Sequence, residues 1–144
     1  MITGSPASRT AAYGIQSLFK FSISTAALTW SNLSPDIGTY TFPSAVVCTV
    51  KSNNPATTWY VSTYASGPLT SISRPTFSIP IAALKFKSSS ASTYTTMTTA
   101  AQRVITGGVG NNTVNVDYQF TFGWVTEAIS DYRATITYAC TDTP

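Results

Sequence analysis

The chain has 144 residues, a net charge of +3 and a pI near 9.0; hydrophobic residues make 43% of it and charged residues only 9%. The length suits one domain with a sizeable core. Abundant aromatics with a small net charge argue against a disordered chain, and the scarcity of acids and lysines argues against an all-helical one. About three residues in ten are Ser or Thr, a composition that favours strands, because β-branched and aromatic side chains fit a pleated, half-buried surface. The eight cations Arg9, Lys20, Lys51, Arg74, Lys85, Lys87, Arg103 and Arg133 are scattered, so no basic run offers a phosphate track and no nucleic-acid partner is expected.

In chain order, residues 1–17 are small, polar and turn-prone. They read as an N-terminal extension without a basic region followed by an apolar run, and residues 18–144 as a single β-sandwich domain. No stretch reaches the ~18 apolar residues of a membrane span. Few charges, many hydroxyls and an even cysteine count lead us to expect a mature extracellular chain whose leader has been removed. Strands are expected where apolar and polar residues alternate. "SLFKFSIS" sets Phe19, Phe21 and Ile23 against Lys20, Ser22 and Ser24. "AVVCTVKS" aligns Val46, Cys48 and Val50; "TTWYVSTYAS" separates Trp59 and Val61 from Tyr60 and Tyr64. "AALKFKSSS" alternates Leu84 and Phe86 with Lys85 and Lys87.

The one helix candidate, residues 94–106, is rich in Thr and reads as strand or irregular structure. "TVNVDYQFTF" is the clearest strand, with Val114, Val116, Tyr118, Phe120 and Phe122 on its dry face. "DYRATITYAC" is expected as one last strand. Turn chemistry falls between these segments at Ser34-Pro-Asp36, Asn53-Asn-Pro55, Gly67-Pro68 and Gly107-Gly108. About seven short strands so separated imply an all-β fold, an antiparallel β-sandwich of Ig-like or jelly-roll type.

Cys48 and Cys140 both fall on expected dry faces. A disulfide between them would close a loop of roughly 90 residues, worth about 4 kcal/mol in the chain-entropy model; two buried free thiols are the alternative. Two cysteines with no histidine cannot fill a zinc shell, so neither a metal nor a cofactor is expected. The absence of histidine excludes histidine-based triads. Glu127 and Asp131 are the only close carboxylate pair and fall in a loop, so no enzyme is expected and no catalytic residue is assigned. "GGVGNN" lacks the lysine and following helix of a phosphate loop and reads as a hairpin turn. Trp30 and Trp124 lie beside turns, where exposed rings could face a glycan. Asn32-Leu-Ser34 and Asn111-Asn-Thr113 match the glycosylation sequon.

Two segments carry a resemblance. "LTWSNLSPDIGTYTFPSAVVCTVKSNNPATTWYVSTYASGPL" and "VDYQFTFGWVTEAISDYRATITYACT" resemble the opening and closing strands of secreted prokaryotic β-sandwich subunits that build pili and matrix fibres, TasA-like filament proteins among them. Together they span about half of the chain. The cysteine pair is not part of that pattern, and Asp131 stands where a glycine is usual before the final strand. The resemblance implies a structural subunit of an extracellular filament or pilus, at the cell surface, that forms a homopolymer by donor-strand exchange. The donor would be the N-terminal segment, with Ile2, Ala11, Tyr13, Ile15 and Leu18 as anchors. A secreted glycan-binding or adhesion module is the alternative expectation, and a viral capsid or fibre protein the third.

Overall fold

The structure, a computed structural model, describes residues 11–25 and 27–143. It is all-β, with antiparallel pairing throughout. The strands are β1 (Phe19–Ile23), β2 (Thr39–Ser52), β3 (Thr58–Ala65), β4 (Leu69–Ser71), β5 (Ser78–Ile79), β6 (Leu84–Ser88), β7 (Thr95–Thr96), β8 (Gln102–Gly107), β9 (Gly110–Thr121), β10 (Tyr132–Arg133) and β11 (Ile136–Thr143). One turn of 3-10 helix, Ile81–Ala83, precedes β6. A five-stranded sheet in the order β1-β2-β9-β6-β7 packs on a three-stranded sheet in the order β11-β3-β8. A small third sheet, β10-β4-β5, is formed near one end. This is the expected antiparallel sandwich.

Alternation along each strand decides what the sheets bury. Val46, Cys48 and Val50 of β2, Val114, Val116, Tyr118 and Phe120 of β9, and Leu84 and Phe86 of β6 form one wall of the core. Trp59, Val61 and Ala65 of β3 form the other. The register confirms the shared face, since Val46 lies opposite Val116 and Cys48 opposite Val114. The Trp59 indole N–H donates to the Gly108 carbonyl at 2.6 Å, which satisfies the one polar atom of that buried ring. Gly107 is required there: a Cβ at this position would stand 2.3 Å from the Trp59 ring.

Two elements depart from the expectation. β2 begins at Thr39, six residues before the expected strand, because a bulge between Phe42 and Val46 lets the ladder continue past Pro43. Proline cannot donate to a ladder and is tolerated at such a bulge. Ser44 within it has φ 50°, left-handed backbone, and its N–H leaves the ladder to meet Asp117 at 2.8 Å. The expected last strand divides in two. β10 pairs with β4 and β11 with β3, so the chain changes sheet between Arg133 and Ile136. The 94–106 segment is β7, an irregular crossing and β8, as its threonines suggest. Among the described residues, no helix is long and apolar enough to cross a membrane.

Candidate functional site

The N-terminal segment leaves the sandwich at β1. Ala11–Leu18 has no regular secondary structure, and every residue in it is exposed. Its root is held by one side chain. The Asn53 amide oxygen accepts the Leu18 N–H at 2.7 Å, the Asn53 amide nitrogen donates to the Gln16 carbonyl at 2.8 Å, and the Asn53 backbone N–H donates to the Leu18 carbonyl. A primary amide carries the same donor and acceptor as a peptide group, so Asn53 extends the β1–β2 ladder by one rung. Beyond that rung Tyr13 is 91% exposed and Ile15 88%. They are two residues apart and therefore share a face when the chain is extended. Of the five expected anchors, Ala11, Tyr13 and Ile15 stand on this free segment. Leu18 belongs to the clamp instead, out of phase with Tyr13 and Ile15. Ile2 lies outside the described residues.

The two long sides of the sandwich are finished differently. On the β6–β8 side, the chain crosses between sheets. The Met97 N–H donates to the Leu84 carbonyl and the Ala65 N–H to the Thr98 carbonyl, both at 2.9 Å, and Met97 is fully buried. On the other side β11 is an edge strand, paired among the described residues only with β3. The Tyr118 and Tyr138 hydroxyls hydrogen-bond across the core, which sets β11 over β2 and β9. β1 lies one strand farther out, at the edge of the five-stranded sheet. Its register places Phe19, Phe21 and Ile23 on the core face, opposite Ser52, Val50 and Cys48. Yet Phe19 and Phe21 are only half-buried and Ile23 is 42% exposed. Ile136, Tyr138 and Cys140 of β11 are likewise incompletely covered. On this side the outer strand of each sheet, β1 and β11, is incompletely covered.

Trp30, in the connection from β1 to β2, packs on the inward side chains of β2 and β9. It stacks on Phe42 with ring centroids 4.1 Å apart and tilts against Tyr118. It is partly buried against the core. Trp124 is the contrasting case: it is 75% exposed, beside Val125 at 96%. Both sit in the loop after β9, which adjoins the 34–38 turn through the Phe122 N–H bond to the Gly38 carbonyl. Ile37 in that turn is 63% exposed. The expected aromatic pair is therefore split between a packed ring and an apolar tip.

Both cysteines are free thiols in the structure, so the expected bridge between Cys48 and Cys140 is not formed. They lie on facing strands of the two sheets. Burial pushes both up to about 11, with the neighbouring Cys140 adding to the effect on Cys48. At neutral pH they are protonated and weakly nucleophilic. Burial also pushes Tyr118 up to about 12 and Tyr138 well above the usual tyrosine range, so both hydroxyls stay protonated.

The most elaborate polar cluster surrounds Asp117, which alternation along β9 sets on the face away from the core. Asp117 is only 8% exposed. Its carboxylate accepts the Ser44 N–H and the Ser89 hydroxyl, and Lys87 approaches to 3.8 Å. Burial opposes the charge, but these donors and the lysine outweigh it and hold the carboxyl below its usual range. Lys87 also reaches the Ala91 carbonyl and lies over the Tyr94 ring. The cluster pins the β2 bulge to β6 and β9. Glu127 and Asp131 have different hydrogen-bond partners. Asp131 accepts from the Ser71 hydroxyl at 2.6 Å and the Ser73 N–H at 2.7 Å, while the Glu127 carbonyl accepts from Tyr132. Among the described residues no group of three or more His, Cys, Asp or Glu could hold a metal ion. The scattered cations are partly gathered by the fold: Lys20 and Lys51 are direct cross-strand partners. No family model matches this chain, and comparison with curated proteins finds no significant relative.

Proposed function

We propose that the chain is a structural subunit of an extracellular filament, joined to its neighbour through the N-terminal segment. The observation that carries this reading is the segment itself. Ala11–Ser17 is rooted by the Asn53 clamp and then presents Tyr13 and Ile15, two large apolar side chains on one face, almost wholly to water. Burying both on a neighbour would return about 1.5–3 kcal/mol each. Such head-to-tail contacts do not close and so propagate into fibres. The low surface charge adds little repulsion along a fibre. Negative-stain microscopy with size-exclusion chromatography on the purified protein tests the proposal. Regular fibres are expected, and deletion of residues 1–17 is expected to leave a monomer with an unchanged circular dichroism spectrum. A truncated chain that still polymerises would falsify the assigned linker.

A second reading rests on the tip formed by Ile37, Trp124 and Val125. An adhesion module that binds glycans would use the exposed Trp124 ring for stacking. In that case titration with a glycan panel shifts the tryptophan emission, and Trp124→Ala removes the shift.

A further inference from the structure

All four lysines of the chain stand on one surface, the outer face of the five-stranded sheet. Lys20 lies between the inward Phe19 and Phe21 on β1, Lys51 between the buried Val50 and Ser52 on β2, and Lys85 and Lys87 beside the buried Leu84 and Phe86 on β6. Alternation therefore turns all four away from the core. Asp117 shares this face, since it lies directly opposite Lys87, and it is already paired with that lysine. The rest of the sequence balances, with four arginines against Asp36, Glu127, Asp131 and Asp142. The whole net charge of +3 thus resides on a single sheet face, although the lysines lie far apart along the chain.

The arrangement carries a cost that an anion would remove. Lys20 and Lys51 are direct cross-strand partners at one end of the face, and like charges so placed repel. The one ion pair among the described residues is Lys87–Asp117, so no carboxylate offsets that repulsion. A shallow recess of about 490 Å³ adjoins the pair, lined by Phe19, Lys20, Phe21, Ser22, Thr49 and Lys51. Lys51 stands opposite Asn111 and Lys85 opposite Gln119. The two ends of the face are therefore roughly 27 Å apart along β9, at ~3.4 Å per residue. Between them β9 presents the exposed Asn111, Thr113 and Asn115. Their amides and hydroxyl donate and accept as sugar hydroxyls require. The rings of β9, Tyr118 and Phe120, point into the core, so a nucleic-acid base finds no ring of this strand to stack on.

We infer that the outer face of β1, β2, β9 and β6 binds an acidic polysaccharide, laid from the Lys20–Lys51 pair toward Lys85. One sugar carboxylate sits between Lys20 and Lys51, another reaches Lys85, and the Asn and Thr side chains of β9 take the intervening hydroxyls. Lys87 stays with Asp117 and the Tyr94 ring. This face shares no residue with the N-terminal segment or with the tip at Trp124, so it serves a filament subunit and a monomer alike.

Calorimetric titration of the full-length protein with oligogalacturonate at low ionic strength tests the assignment. Binding is expected, and it weakens as salt is added. Two variants lower the net charge equally. Lys20→Ala/Lys51→Ala is expected to weaken binding about tenfold or more, and Arg74→Ala/Arg133→Ala less than about twofold. Thermal melts supply a second measurement. Without ligand the lysine variant is expected to melt no lower than wild type, because the repulsion is gone. Oligogalacturonate is expected to raise the melting temperature of wild type but not of the lysine variant. A wild type that does not bind overturns the inference. So does equal loss in the two variants, which is attraction to net charge without a site. Duplex DNA that binds as tightly, with the same dependence on Lys20 and Lys51, overturns the sugar chain as the ligand.

Discussion

The β6–β8 side and the β1–β11 side of the sandwich are built from the same kinds of residue and end differently. On the first, the chain passes from one sheet to the other and leaves a fully buried methionine at the crossing. On the second, the chain passes from β1 to β2 through residues 24–38, of which Trp30 and Leu33 pack against the core. Phe19 and Phe21 remain half-buried there and Ile23 is 42% exposed. The difference teaches that an edge becomes a closed wall when a connection crosses it, and stays partly open when the connection runs elsewhere. Hydrophobicity of the strands does not separate the two sides; connectivity does.

Substitutions on the two sides sharpen that contrast. Met97→Ala empties a fully buried site and is expected to cost about 3 kcal/mol in urea denaturation. Gly107→Ala drives a methyl into the Trp59 ring on the same side, and overpacking of this kind costs about 2 kcal/mol. Asp117→Ala strands the Ser44 N–H and the Ser89 hydroxyl at the β2 bulge, between the two sides, with an expected loss of about 2 kcal/mol. This loss carries a pH signature. Asp117 is held below the ordinary carboxylate range, so its contribution is complete above about pH 4 and disappears as pH falls through the folded value. Thermal melts from pH 6 to pH 2 should show a steeper acid decline in wild type than in Asp117→Asn. Ile23→Ala on the open side is expected to cost only about 1 kcal/mol in the monomer, because 42% of the side chain is already in water. If Ile23→Ala cost as much as Met97→Ala, the two sides would be equally closed and the contrast would break.

Much of this fold was legible in the sequence. Period-two alternation located β1, β3, β6 and β9 and assigned their inward faces, because that pattern is local and the core is its direct consequence. Alternation sets Asp117 on the outer face of β9, but it does not show that the position is covered. Its burial depends on a bulge in a strand 73 residues away, and only Pro43 hinted at irregularity there. The division between β10 and β11 was hidden for a similar reason: alternation continues through Ala134 and Thr135 while the pairing partner changes. The candidate site was half legible. Tyr13 and Ile15 could be named from their spacing, but the incomplete cover of Phe19, Phe21 and Ile23 could not, since it depends on which strands the second sheet holds. Asn53 read as a turn residue and turned out to clamp the segment as well.

The position of β11 in the chain bears on when the sandwich can close. The β2–β9 ladder joins residues as far apart as Thr39 and Thr121, so pairing is non-local and slow relative to local turns. A chain made from its N-terminus presents Ala11–Ile15 long before β11. The segment therefore emerges well ahead of the strand that completes the three-stranded sheet. Order of manufacture separates the two in time as well as in sequence.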